Sequence, residues 1–215
     1  LIKHTFLSLL FENDNMKKIY LDNAATTPLY PEVIDAMVAV LQNDFGNPSS
    51  THSYGRSAKN LLETARKSIA KQLQIQAAEL IFTTNATEAT NLILQNAVQN
   101  LNIQRIITSR IEHHATLHTV QHLEKMNGIE VVYIDILPTG EIDYLHLAKL
   151  LHEVKHTLVS LMHVNNEIGT ILDVERVGKL CVAAKALFHC DTVQSIGKID
   201  LNLHELPIDF AIATA

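Results

Sequence analysis

The sequence predicts an α/β fold: a mostly parallel sheet flanked by helices. Two observations carry this. From about Glu32 onward, short β-branched runs alternate with helical apolar patterns, which is the signature of βαβ crossovers. The runs also finish in polar residues, as in Asp191-x-x-Gln194 and Asn165-Asn166-Glu167-Ile168-Gly169, at the strand ends where ligands collect in open α/β sheets. Apolar residues make up 47% of the 215, enough for a sizeable core.

The elements follow in order. Met16 to Leu21 reads as a first strand. Pro31 opens a helix whose Val33, Ile34, Met37, Val38, Val40 and Leu41 share one face. Asp44 to Ser57, rich in Gly, Ser, Pro and Asn, is a loop. A helix is predicted over 58–73, a short strand over 79–83 and a helix opening near Thr87, for which Thr87 is the candidate N-cap. Strands follow at 105–109, 130–134, 157–164 and 187–191, with a last one within 208–213. Helices are expected at 115–126, 142–151 and 174–186.

No linker, repeat or low-complexity tract divides residues 16–215, which read as one structural unit. Residues 1–15 read as a non-native or unstructured extension, with Met16 as the natural start. The apolar patch Phe6 to Phe11 is too short to span a membrane and lacks a cleavage site after it. A net charge of −6, with no basic stripe, speaks against nucleic acid as a direct partner. The two cysteines, Cys181 and Cys190, read as packed core thiols in a reducing, cytoplasmic setting.

Several segments can carry chemistry. In Phe82-Thr83-Thr84-Asn85-Ala86-Thr87-Glu88 a strand gives way to a helix start, whose free amides and dipole suit an anion such as phosphate. An ordinary capped helix is the rival reading. His113, after a strand, can stack on a flat ligand or shuttle a proton. His114, His118 and His122 share a helix face, but no carboxylate or cysteine stands at ligand spacing, so no metal is expected. Asp191 either caps the next turn or faces a heterocyclic nitrogen and keeps it protonated, as pyridoxal phosphate requires of its acid partner. Asn166 and Gln194 can then bond the ring's phenolate oxygen, although Asn166 also fits a plain turn leading to Gly169.

Taken in order, these pieces resemble the cysteine desulfurase family, pyridoxal-phosphate enzymes of the class V aminotransferase group. The matching residues are Tyr20-Leu21-Asp22-Asn23-Ala24-Ala25-Thr26-Thr27-Pro28, Gly46-Asn47-Pro48-Ser49-Ser50-x-His52-x-x-Gly55-Arg56, Asn85-Ala86-Thr87-Glu88, Glu112-His113, Val164-Asn165-Asn166-Glu167-Ile168-Gly169 and Asp191-x-x-Gln194-Ser195-x-Gly197-Lys198.

The resemblance implies a fold type I large domain, incomplete at the carboxyl end, in a homodimer. It implies that Ala86 and Thr87 hold the cofactor phosphate and that Thr214 contacts it. His113 would stack on the ring as the catalytic proton-transfer residue, Asn166 and Gln194 would contact the ring oxygen, and Asp191 would pair with the ring nitrogen. The loop Gly46–Arg56 would lie near the entrance.

The activity implied is conversion of L-cysteine to L-alanine, with sulfur passed on as a persulfide to an iron–sulfur scaffold or a tRNA-thiolation relay. The family's cofactor-linking lysine follows the position of Ala215, and its nucleophilic cysteine lies further on, so this chain is expected to lack both. A selenocysteine lyase or another class V aminotransferase is the nearest alternative. A non-catalytic chain that binds a phosphate ligand or dimerises is the alternative of a different class.

Overall fold

The computed structural model describes residues 18–214. The predicted extension at residues 1–15 lies outside them. Five strands form the sheet: β1 (Arg105–Ser109), β2 (Glu130–Ile134), β3 (Thr157–Met162), β4 (Leu187–Asp191) and β5 (Phe210–Ile212). Their order is β2-β1-β3-β4-β5, and every neighbouring pair is parallel. The predicted α/β class is therefore borne out.

Six α-helices accompany the sheet among the described residues: α1 (Pro31–Asn43), α2 (Ser53–Gln72), α3 (Ala86–Asn100), α4 (His114–Asn127), α5 (Tyr144–Leu151) and α6 (Val174–Ala184). Two apolar layers sandwich the strands. Ile106 and Leu158 pack with Leu94 and Ala97 of α3 and Val120 and Leu123 of α4. Ile107, Val159, Leu161, Phe188 and Cys190 pack with Leu147 of α5 and Val177 and Cys181 of α6. Alternate residues of each strand serve opposite layers, as the period-two geometry of a strand dictates. Both faces are covered, which is why these strands read as continuous apolar runs.

The sequence reading needs four corrections. Residues 18–21 carry no strand. The helix predicted from residue 58 starts at Ser53, where the His52 side chain accepts the Gly55 amide. Gly55 reads as a loop residue, yet it is helical and serves close packing: a Cβ there would lie 2.3 Å from the Ser50 carbonyl oxygen.

The run 79–83 is no strand either. A short 3₁₀ turn (Ala77–Glu79) is closed by the Gln76 amide bonding Glu79 at 2.6 Å. Beyond it, the guanidinium of Arg66 donates to the Leu80 carbonyl and covers the Phe82 ring at 4.7 Å. A β-rich run without a neighbouring strand has no ladder to join.

The N-cap of α3 is Asn85 rather than Thr87, with its side chain accepting the Glu88 amide at 2.8 Å. Three further boundaries move by two residues. Val164 leaves β3 to bridge antiparallel to Ile171, Ile142 bridges Ile136 before Asp143 caps α5, and Lys185 ends α6 at φ 56°. No described helix is long and apolar enough to cross a membrane.

Candidate active site

Strand order fixes where a ligand belongs. From β1 the chain moves outward to β2, then returns to place β3 on the other side of β1. The crevice of such a sheet opens at that reversal, outside the carboxyl ends of the strands. The residues at this edge come from the segments that follow β1, β3, β4 and β5. Helix α3 delivers its start to the same edge, because it ends at Asn100 just before β1 begins at Arg105.

His113 follows β1 as the N-cap of α4, and its Nδ1 accepts the Ala115 amide at 3.1 Å. With Nδ1 committed as acceptor, Nε2 is the nitrogen left for an exchangeable proton. The ring is exposed at the sheet edge, as a stacking or proton-transfer residue requires. Asn166 follows β3 and donates to the Glu167 carboxylate at 2.8 Å.

Asp191 ends β4 and is only 7% exposed. Its Oδ1 accepts the Val193 amide at 3.0 Å, a local turn bond of the capping kind. Burial raises its pKa, while the Val193 amide and the His113 imidazole pull it back toward the ionised form. The two expected partners of a flat ring, His113 and Asp191, are thus close enough to interact electrostatically.

Gln194 is engaged at both ends of its amide. Nε2 donates to the Ala24 carbonyl at 2.9 Å and Oε1 accepts from Lys198 at 3.1 Å. Thr214 is exposed two residues beyond β5, at the same edge. At the start of α3, the Asn85 side chain and carbonyl take the amides of Glu88 and Ala89. The Ala86 and Thr87 amides have no acceptor among the described residues. Glu88 is occupied by Thr84, whose amide reaches it at 2.6 Å and whose hydroxyl also bonds it; the hydroxyl bond is the main cause of its lowered pKa.

Two buried residues stand out that sequence reasoning quoted but gave no role. Asn165 donates to the Ile111 carbonyl at 2.7 Å and accepts the amides of Glu167 and Ile168 at 2.8 and 3.0 Å. It clasps the segments after β1 and β3 together across the reversal. Glu112 is buried beside His113 and bonds Ser109. A carboxylate at the end of a β-rich run was the available signal for it.

Cys181 and Cys190 are both buried in the core. Burial pushes the Cys181 thiol up to about 12 and that of Cys190 higher still, so both are packed thiols as predicted. No cluster of three or more metal-ligating side chains exists among the described residues.

This edge, built on a parallel sheet with an open helix start, matches a known family: residues 19–215 fit the class-V aminotransferases. The chain belongs to that family. It is 40% identical over 201 residues to cysteine desulfurase IscS of Dictyoglomus turgidum, covering 93% of this chain and 50% of that protein. Cysteine desulfurase IscS of Vibrio cholerae is 42% identical over 204 residues, with 92% and 50% covered.

Among solved structures, a NifS-like protein superposes with a TM-score of 0.88 at 37% identity, over 92% of this chain and 55% of that one. SspA, solved in complex with cysteine, gives 0.86 at 32% identity, over 92% and 57%. The fold is thus the fold type I large-domain architecture of the NifS-like proteins. The chain spans about half the length of the curated relatives it matches.

Proposed function

We propose that this chain forms the cofactor-binding part of a pyridoxal-phosphate-dependent cysteine desulfurase that takes L-cysteine to L-alanine and passes the sulfur on as a persulfide. The observation that carries the reading is the buried Asp191 carboxylate at the end of β4, at the same sheet edge as the exposed His113 ring. The unfilled amides of Ala86 and Thr87 add a second, independent fit, since helix starts suit phosphate. The cysteine-bound SspA relative supports L-cysteine as substrate.

Pyridoxal phosphate, when bound, supplies the electron sink. The chain's own residues hold and orient it. Ala86 and Thr87 would donate amides to the phosphate, and Thr214 its hydroxyl. Asp191 would keep a proton on the ring nitrogen, because a buried carboxylate opposite that nitrogen favours the charged pyridinium. His113 would cover one face of the ring and move a proton through Nε2. Asn166 and Gln194 would reach the ring oxygen, with Gln194 exchanging its bond to Ala24 for one to the ring. A homodimer, a cytoplasmic setting and a sulfur acceptor of the iron–sulfur scaffold or tRNA-thiolation kind complete the proposal.

The test is cofactor uptake, followed by visible absorbance and by equilibrium dialysis. Asp191→Asn should weaken pyridoxal phosphate binding by about tenfold or more, equivalent to about 1.4 kcal/mol, because hydrogen bonds to charged groups are the strong ones. Equal uptake by wild type and D191N would remove the reading's main support.

A further inference from the structure

A second buried carboxyl stands at this edge, and the proposed reaction does not use it. Glu112 sits in the turn between β1 and α4 with 7% of its surface exposed. Its Oε1 accepts the Ser109 hydroxyl at 2.6 Å, while Oε2 has no partner among the described residues. Together with Ser109, Met162, Asn165, Glu141 and Tyr144 it lines a cavity of about 20 Å³. That space suits one water molecule.

Two neighbouring buried carboxyls do not both ionise cheaply, so one of them keeps a proton. The environments decide which. Asp191 has the Val193 amide at 3.0 Å and the His113 imidazole to favour its ionised form. Glu112 has the neutral Ser109 hydroxyl, a smaller pull from the Met162 backbone, and deeper enclosure. Burial pushes it up to about 8, the Ser109 hydroxyl opposes this, and the charge of Asp191 adds to it.

The other ionisable groups around it are Cys190 of β4, His113 in its own turn, and Glu141 and Tyr144 across the cavity, with His163 following β3. Burial holds Cys190 as a neutral thiol, which adds no charge, and His163 toward its neutral form, which withholds a compensating positive one.

We propose that Glu112 is a positioning residue, a neutral carboxyl protonated on Oε2, which leaves Asp191 as the ionised member of the two buried carboxyls and steadies the turn that presents His113. Its effect on a ligand rests on the pyridoxal-phosphate reading, whereas its protonation does not. An ionised Glu112 would set a second negative charge against Asp191 in a buried site, where like charges repel. A neutral one concentrates the field on the β4 side.

Infrared spectroscopy of the 215-residue chain with carbon-13-labelled glutamate tests this directly, since the label separates Glu112 from Asp191. A protonated-glutamate carbonyl stretch is expected at neutral pH, fading with a midpoint near 8 and missing from E112Q. Pyridoxal phosphate binding, followed by absorbance, should stay within about twofold of wild type in E112Q at neutral pH, because the amide mimics the neutral acid.

If E112Q fails to fold, the titration of the labelled band in wild type alone decides. A neutral-pH spectrum without a protonated-glutamate band overturns the proposal, as does a band that survives in folded E112Q. A wild-type chain that shows the band yet takes up no pyridoxal phosphate keeps Glu112 neutral and refutes the cofactor reading instead.

Discussion

The sheet and the amino-terminal helices follow the same rule of apolar periodicity and end in opposite situations. Phe188, Ile107 and Val159 in the sheet are completely buried. Helix α1 has the apolar stripe of a packed helix, yet none of its residues is buried, and Leu41 is 78% exposed. Periodicity shows that a face is made for burial. It does not say what buries it, and nothing among the described residues covers α1.

The sharpest way to break this contrast is a truncation in each region. Phe188→Ala should cost about 3–5 kcal/mol, because it removes a ring from a filled core. Leu41→Ala should cost under about 0.5 kcal/mol, the ordinary range for an exposed position. Urea melts of both variants decide, and comparable losses would mean that α1 is packed in solution.

Between these extremes lies a pH effect confined to the sheet. His189 is buried on β4, with Ser160 at 2.9 Å, and burial lowers its pKa from 6.5 to about 4. The unfolded chain takes up this proton before the folded one does. Stability from His189 is therefore full above pH 6.5 and drains away as pH falls toward 4, by about 3 kcal/mol in all.

Glu112 acts in reverse. Its raised pKa means that the folded chain holds a proton the unfolded chain has lost, so its contribution declines as pH rises from 4.5 to about 8. Melts across pH should show wild type losing ground to His189→Gln on acidification and to E112Q on alkalinisation. A pH-independent gap in either pair would contradict the corresponding shift.

A smaller effect is expected from Arg105, a buried cation that bonds the carbonyls of Leu150 and Glu153 and the Glu153 carboxylate at 2.9 Å. That carboxylate is 58% exposed. Arg105→Met therefore leaves unpaired carbonyls but no stranded buried charge, a loss of about 1–3 kcal/mol. Glu153→Gln should cost less than Arg105→Met, and the reverse order would show that the ion pair dominates.

The same contrast explains what was legible in the sequence. Strands β1, β2 and β4 and helices α4 and α6 announce themselves through local pattern, and tertiary packing agrees with it. The run 79–83 has strand-like residues but no strand to pair with, so its environment overrides its propensity. The candidate site residues could be nominated from the sequence because ligands in this fold gather at strand ends, a place that sequence order reveals.

Asn165 and Glu112 were harder. Asn165 owes its role to Ile111, 54 residues away, and Glu112 owes its character to burial by the folded chain and, after that, to the charge of Asp191 on β4. No spacing rule reports such pairings.

The bond from Gln194 to Ala24 joins residues 170 positions apart. Closing a loop of that size in an unstructured chain costs about 4–5 kcal/mol of entropy, several times the net worth of one hydrogen bond. This tie can form only after the sheet has already brought its ends near each other. Being exposed and worth little net on its own, it acts as a latch on the amino-terminal segment, one whose opening leaves the packed core in place.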